Sequence, residues 1–139
     1  MEKLKRFAPL VGRILLAQIF LASGLNKIGA WEQTAGYMAS KNMPLVPLFL
    51  VAAILFEVGG GLSVLFGYRA KLGAAALIIF LLPASLIFHN FWTYQGMEQQ
   101  VQMIMFMKNL AIMGGLWMVI GLGAGPLSLD SRKKKEMMR

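Results

Sequence analysis

The stretch PLVPLFLVAAILFEVGGGLSVLFG, from Pro44 to Gly67, decides how this chain folds. A run of ~20 apolar residues spans the hydrocarbon core of a bilayer as a helix, because each residue rises about 1.5 Å. One acidic residue, Glu57, lies near the middle of this run. A charged side chain at that depth costs about 2.5–3.5 kcal/mol on insertion scales. Glu57 therefore marks either a functional site or a residue with a buried partner.

The composition extends the same conclusion to the whole chain of 139 residues. It is 58% hydrophobic and 14% charged, with a mean hydropathy of +0.63, which is typical of a membrane protein. Four segments are long and apolar enough to span a bilayer: residues ~7–27, ~44–67, ~71–92 and ~101–123. They predict an all-α, integral membrane four-helix bundle that forms a single domain, residues 1–139, with a basic tail at 128–139.

The basic residues predict how the bundle is oriented. Eleven of them flank the same ends of the apolar segments: Lys3, Lys5, Arg6, Arg13, Arg69, Lys71, Arg132, Lys133, Lys134, Lys135 and Arg139. The opposite side carries only Lys27 and Lys41. Because basic loops stay on the cytoplasmic side, we expect both termini to be cytoplasmic. The net charge of +8 follows from this distribution, so it does not predict a nucleic-acid partner.

Several kinds of chemistry are excluded or disfavoured by the residue inventory. The chain has no cysteine, so it cannot form disulfides, Fe–S clusters or thiolate metal sites. It has one histidine, so a single subunit cannot supply bis-histidine haem ligation, and Glu57 with His89 alone would leave a metal incompletely coordinated. The N-terminus also resembles a secretory signal ending in Leu-Ala-Ser-Gly, but Arg13 interrupts its apolar core, which favours a retained span.

Small residues predict where the helices pack against one another. Membrane helices associate through close packing and hydrogen bonds, with small residues at the contacts. The expected packing residues are Gly59, Gly60, Gly61, Ser63, Gly67, Gly114 and Gly115. Glu57 shares a stripe with Ala53, Gly60 and Gly61, which places its carboxylate inside the bundle.

Polar side chains are concentrated in the outer half of the predicted bundle. The candidate pocket consists of Glu57, Lys108, Asn109, His89, Lys27, Asn26 and Gln18. Helix rise places Glu57 near the midplane and Lys108 about 5–10 Å away in depth, within reach of a lysine stem. The two residues form either a binding site or a structural ion pair that fixes which helices meet.

Five phrases, taken together in their order, resemble the DoxX family of small four-helix bacterial membrane proteins. They are FLASGLNK (Phe20 to Lys27), FEVGGGLSVLFGY (Phe56 to Tyr68), HNFW (His89 to Trp92), KNLAIMGG (Lys108 to Gly115) and GAGPLSLD (Gly123 to Asp130). The resemblance covers nearly the whole chain and implies a multi-pass protein of the bacterial cytoplasmic (inner) membrane. It also implies a link to redox complexes, because family members are associated with a thiosulfate:quinone oxidoreductase and similar systems.

Three functions are compatible with these observations. The first is a membrane subunit of a quinone-linked redox system, with Lys108, His89, Asn109 and Lys27 as hydrogen-bond donors and Glu57 as a proton relay. Such a subunit would need a soluble or membrane redox partner to supply electrons. The second is a non-catalytic anchor whose basic tail binds lipid or an acidic soluble partner. The third is a small proton-coupled transporter that uses Glu57, which would need a homo-oligomer to build a pore.

Overall fold

Four long helices form the protein, as a computed structural model describes it for residues 1–138. They are α1 (Glu2–Gly29), α3 (Val46–Phe66), α4 (Ala70–Phe88) and α5 (Gly96–Leu122), and each is long and apolar enough to cross a membrane. Residues 1–138 contain no strand. The prediction of an all-α, four-helix membrane protein is confirmed.

Two short helices lie in segments that the sequence predicts to be a loop and a tail. Helix α2 (Trp31–Ser40) follows α1 after a single turn residue, Ala30, and α6 (Leu129–Met137) follows α5. Both are too short and too polar to span a bilayer, so hydropathy does not detect them. A single 3₁₀ turn (Phe91–Thr93) links α4 to α5, which begins at Gly96, about one turn before its apolar segment.

The four long helices form a ring in which each neighbour runs antiparallel to the next. Helix α1 packs along α3, α3 along α4 and α4 along α5, and a smaller contact between α5 and α1 closes the ring. The bundle therefore has two ends, which we name after the short helix at each. The α2 end carries α2, the end of α4 and the start of α5; the α6 end carries the start of α1, the α3–α4 turn and α6.

Glycines on α3 allow two neighbouring helices to approach closely. A Cβ on Gly60 would lie 2.7 Å from the Leu77 side chain on α4, and one on Gly61 would lie 3.0 Å from Leu21 on α1. The buried centre of the bundle is formed by apolar side chains, among them Ala17, Phe20, Val64, Ala74, Leu77 and Leu116. Small residues at the contacts thus substitute for the hydrophobic drive that is missing between helices in lipid.

The predicted packing role is wrong for Gly59 and Gly114. Among residues 1–138, a Cβ on either would meet nothing within 4 Å, because both glycines lie on outward faces of their helices. Residues that follow one another on a helix point about 100° apart, so Gly59 faces outward while Gly60 faces inward. By contrast, Ser63, Gly67 and Gly115 do contact neighbouring elements, as do Gly60 and Gly61.

A buried arginine joins three elements at the α6 end. Arg13 on α1 is only 2% exposed, and its guanidinium donates to the carbonyl oxygens of Val64 (3.4 Å), Leu65 (3.2 Å) and Leu127. The first two carbonyls belong to the last turn of α3, where the Val64 carbonyl also accepts from the Gly67 N–H (3.2 Å) and the Leu65 carbonyl has no partner within the helix. Arg13 therefore points into the protein.

The same end is completed by Gly67 and Asp130. Gly67 ends α3 with a φ of +64°, and a Cβ there would collide with the Arg13 guanidinium. The Asp130 carboxylate accepts from the backbone N–H groups of Arg69 (2.8 Å) and Ala70 (3.0 Å), the first donors of α4. An acidic residue stabilises a helix N-terminus both as a cap and through the helix dipole. The start of α6 is thereby attached to the α3–α4 turn.

Candidate functional site

A cavity of about 340 Å³ lies at the α2 end, between the four long helices and beneath α2. Its walls are largely apolar, with Phe20, Met38, Phe80, Leu81 and Phe88 among them. The polar residues that line it are Ser23, Asn26, Lys27, Thr34, Tyr37, Glu57, His89, Lys108 and Asn109. An apolar cavity with a few convergent polar groups is the usual form of a small-molecule site.

An ion pair between α1 and α3 forms one side of the cavity. Lys27 Nζ donates to Glu57 Oε1 at 3.1 Å and lies 2.9 Å from Glu57 Oε2. Ser23, one turn earlier on α1, accepts a further hydrogen bond from Lys27 at 2.7 Å. Glu57 is 3% exposed and the Lys27 side chain 21%, so the pair is buried at the carboxylate and partly open at the ammonium. The lysine supplies the compensating charge that a buried carboxylate requires.

Gly24 allows α1 to approach α3 closely enough for this pair to form. A Cβ at Gly24 would lie 2.7 Å from Val58 Cγ2 and 3.3 Å from Glu57 Cβ. A larger residue would force the Val58 side chain or the two helices to shift. In the sequence Ser-Gly-Leu-Asn-Lys, residues 23–27, Gly24 allows the close approach of the helices. Lys27, about one helical turn after Gly24, supplies the ammonium.

Of the two alternatives for Glu57 and Lys108, the structural ion pair is wrong, because Glu57 pairs with Lys27. Lys108 is exposed, and its Nζ lies 3.3 Å from Met105 Sδ, a weak acceptor. The order of the helices explains the pairing, because α3 packs along α1 and α4, whereas Lys108 belongs to α5 on the far side of the ring. Lys108 still lines the cavity as an ammonium without a carboxylate partner among residues 1–138.

A buried polar contact joins α4 and α5 on the other side of the cavity. Asn109 Nδ2 donates to Ser85 Oγ at 2.9 Å, and the Ser85 hydroxyl donates to the Leu81 carbonyl at 2.6 Å. Both side chains are buried. One amide N–H of Asn109 and its carbonyl oxygen remain available at the wall, because the Ser85 bond uses only one of the donors.

The third polar group of the site is a chain of side chains that ends at His89. His89 Nδ1 lies 2.9 Å from Gln102 Oε1, and Gln102 Nε2 donates to Glu98 Oε1 at 3.1 Å. Edge-to-face contacts among Phe91, Trp92 and Phe106 join the turn between α4 and α5 to α5 itself. His89 is thereby held at the end of α4, where it lines the cavity.

Helix α2 covers the cavity at its outer end. Tyr37 stacks on Phe88 with ring centroids 5.5 Å apart, and Thr34, Tyr37 and Met38 line the cavity. Lys41, which follows α2, donates to the Tyr94 hydroxyl, and this hydrogen bond raises the pKa of the Lys41 ammonium. Because the contacts are few and are made by side chains, α2 is attached to the bundle less extensively than the long helices are to one another.

The structure brings six of the seven predicted pocket residues to one cavity: Glu57, Lys108, Asn109, His89, Lys27 and Asn26. The seventh, Gln18, is exposed on α1 and lies outside the cavity. The buried face of α1 runs through Arg13, Ala17, Phe20 and Gly24, which turns Gln18 outward. Ser23, Thr34 and Tyr37 were missed; only Ser23 had a usable signal, its position one turn before Lys27 on the same face.

Four membrane-spanning helices arranged around an internal polar cavity make this chain an integral membrane protein of the four-helix type. Comparison with known sequences identifies the group. The chain belongs to the DoxX family, which matches residues 8–90, and the SURF4 family matches residues 51–136. No solved structure matches the chain.

Several characterised relatives are similar along nearly the whole chain. The inner membrane protein YqjF of Escherichia coli is 36% identical over 98% of this chain and 99% of its own length. The inner membrane protein YphA of the same organism is 31% identical, with 88% of each chain covered. A Surfeit locus protein 4 homolog of Drosophila melanogaster is 30% identical over 96% of this chain but only 44% of its own length.

Proposed function

We propose that this protein is the membrane subunit of a quinone-linked redox system and that its cavity binds the quinone headgroup. The observation that carries the proposal is the cavity itself, in which an ammonium, an amide and an imidazole meet between apolar walls. Its volume of about 340 Å³ is at the lower end of the range of small-molecule sites, about 300–1,000 Å³. A headgroup ring with small substituents is of that scale.

The polar groups suit the chemistry of a quinone. Its carbonyl oxygens accept hydrogen bonds, and Lys108 and Asn109 supply N–H donors from α5. The Lys27–Glu57 pair adds a carboxylate that can exchange protons during reduction or oxidation of the ring. The chain carries no cysteine and a single histidine, so electrons reach the site from a redox partner.

A binding titration tests this proposal. The full chain in lipid nanodiscs is titrated with a short-chain benzoquinone and the heat of binding is measured. We expect saturable binding that weakens about tenfold in Lys108→Met, because a hydrogen bond to a charged donor contributes about 1.5–3 kcal/mol. Lys71→Met is the matched control, because Lys71 is exposed at the α6 end. Absence of saturable binding, or equal loss in both variants, would refute the quinone site.

We also propose that the protein lies in the bacterial inner membrane with both termini cytoplasmic. Two observations support it: ten basic residues among residues 1–138 lie in the elements of the α6 end, and the relatives YqjF and YphA are inner membrane proteins. Because the chain has no cysteine, single-cysteine variants report on each side. In intact cells a membrane-impermeant thiol reagent should label Gly36→Cys in α2. It should label Met138→Cys only after the membrane is opened, and the reverse pattern would invert the topology.

A second candidate function, a membrane anchor for a soluble partner, is favoured by helix α6. Four consecutive cations, Arg132, Lys133, Lys134 and Lys135, are carried by a helix that Asp130 attaches to the bundle. Exposed cations on an ordered helix suit an acidic protein surface. The test is a variant with all four changed to Gln: an anchor would lose its co-purifying partner and keep the quinone affinity of the wild type.

A further inference from the structure

The direction of the hydrogen bonds from Glu98 to His89 determines which nitrogen of the histidine carries the proton. The Glu98 carboxylate, when ionised, can only accept hydrogen bonds, so the Gln102 atom 3.1 Å from it is the amide nitrogen. The amide oxygen of Gln102 then faces His89 Nδ1 at 2.9 Å and can only accept. Nδ1 is therefore the donor, and the neutral ring carries its proton there.

We propose that Glu98 and Gln102 are positioning residues that hold neutral His89 in the Nδ1–H form. In this form Nε2 presents a lone pair, and His89 acts as a hydrogen-bond acceptor at the cavity wall. Among residues 1–138, Nδ1 is the ring nitrogen that has a hydrogen-bond partner, so Nε2 is the polar atom that remains for a ligand.

The consequence is a preference for a ligand that brings its own O–H or N–H group. In the proposed function, on which this step rests, the reduced dihydroxy form of a quinone carries such a group and the oxidised form does not. The hydroxyl of the hydroquinone donates to His89 Nε2, while Lys108 and Asn109 can serve the other oxygen of the ring. The site thereby favours the reduced form.

The local architecture supports a positioning role. Glu98 and Gln102 are four residues apart on α5, the spacing at which side chains on a helix meet, and Gln102 then reaches across to the end of α4. Edge-to-face contacts of Phe91 with Trp92 and Phe106 join the turn that follows His89 to α5. The same contacts could merely tie α4 to α5, so the test needs a readout that a structural tie would not change.

The presence of a single histidine makes that readout direct. In protein labelled with ¹⁵N-histidine, the ring nitrogen shifts at a pH where the ring is neutral distinguish Nδ1–H from Nε2–H. We expect the Nδ1–H form in the wild type and a shift to Nε2–H in Gln102→Leu, since nothing then accepts from Nδ1. Gln102→Glu keeps an acceptor and should retain the Nδ1–H form. Gln100→Leu, an exposed position on the same helix, should leave the spectrum unchanged. A wild-type ring in the Nε2–H form, or an unchanged ring in Gln102→Leu, would overturn the assignment.

A second measurement separates this inference from the proposed function. The wild-type protein is titrated with a short-chain benzoquinone and with its hydroquinone, and we expect about tenfold tighter binding of the hydroquinone. Gln102→Leu should abolish that preference. Equal binding of both forms would overturn the ligand preference while the quinone site stands. Binding of neither form would overturn the quinone site, and the NMR spectrum would still decide the histidine assignment on its own.

Discussion

Two cations on the same helix, the buried Arg13 and the partly buried Lys27, have different roles at the two ends of the molecule. Arg13 at the α6 end donates to backbone carbonyls of α3 and of the segment after α5. Lys27 at the α2 end is paired with a carboxylate and faces a cavity. A guanidinium whose donors go to helix-end carbonyls is a structural element, because it completes the hydrogen bonds that the helix leaves open. An ion pair beside an open cavity can also meet a ligand.

The contrast extends to the residues around each cation. At the α6 end, Gly67 provides the left-handed backbone conformation that ends α3, and Asp130 caps the start of α4. At the α2 end, His89 and Lys108 line open space and retain unused hydrogen-bonding capacity. Substitutions at the α6 end should therefore change stability, and those at the α2 end should change ligand binding more than stability.

Removal of Arg13 should have the largest effect. Arg13→Met leaves the carbonyls of Leu65 and Leu127 without a donor and the Val64 carbonyl with only the Gly67 N–H, and we expect a loss of about 3 kcal/mol in the free energy of unfolding. The measurement is an SDS titration of the protein in mixed micelles, followed by circular dichroism. Arg132→Met, an exposed arginine on α6, is the control and should change the value by less than about 0.5 kcal/mol. Equal effects would mean that Arg13 does not hold the α6 end together.

Gly67→Ala should be the next most damaging change. The residue has a φ of +64°, and a Cβ there would also collide with the Arg13 guanidinium, so we expect a loss of about 2 kcal/mol. Gly114→Ala is the matched control: that glycine lies within α5, where alanine favours the helix and meets nothing within 4 Å in residues 1–138. The same unfolding titration should show a small gain for Gly114→Ala. A loss there would indicate that the outward face of α5 is packed against another chain.

The sequence was sufficient to predict the four spans and six of the polar residues that line the cavity, but not which of those residues pair. Hydropathy depends on residue type alone, so four apolar segments were readable without any contact information. The partner of Glu57 depends on which helices are neighbours, and depth along a helix carries no information about that order. The errors at Gln18 and Gly59 have a related cause, because their helices turn them about 100° away from buried neighbours. Helix α2 is polar and short, so its role as a cover over the cavity had no hydropathy signal.

A double-mutant cycle on Lys27 and Glu57 tests the pairing at the α2 end. Glu57→Gln and Lys27→Met should each cost about 1–2 kcal/mol, less than a fully enclosed pair, because the Lys27 side chain is 21% exposed. The combined variant should cost less than the two separate losses added together, since each change removes the same contact. The pairing with Lys27 would be wrong if the two losses were additive and Lys108→Met instead were coupled to Glu57→Gln.

Lys108→Met should give the smallest change in stability. It should also distinguish most clearly between ligand binding at the α2 end and stabilisation at the α6 end. Lys108 is exposed, and its ammonium has the Met105 sulfur as its only hydrogen-bond partner among residues 1–138, so we expect less than about 0.5 kcal/mol in the unfolding titration. Arg13→Met, by contrast, should lower the free energy of unfolding. The molecules of that variant that stay folded should keep an intact cavity. A cation whose loss leaves stability unchanged but weakens benzoquinone binding contributes to a site. If Lys108→Met instead destabilises the protein as much as Glu57→Gln does, the α2 end is held together by its charges in the same way as the α6 end, and the functional contrast between them disappears.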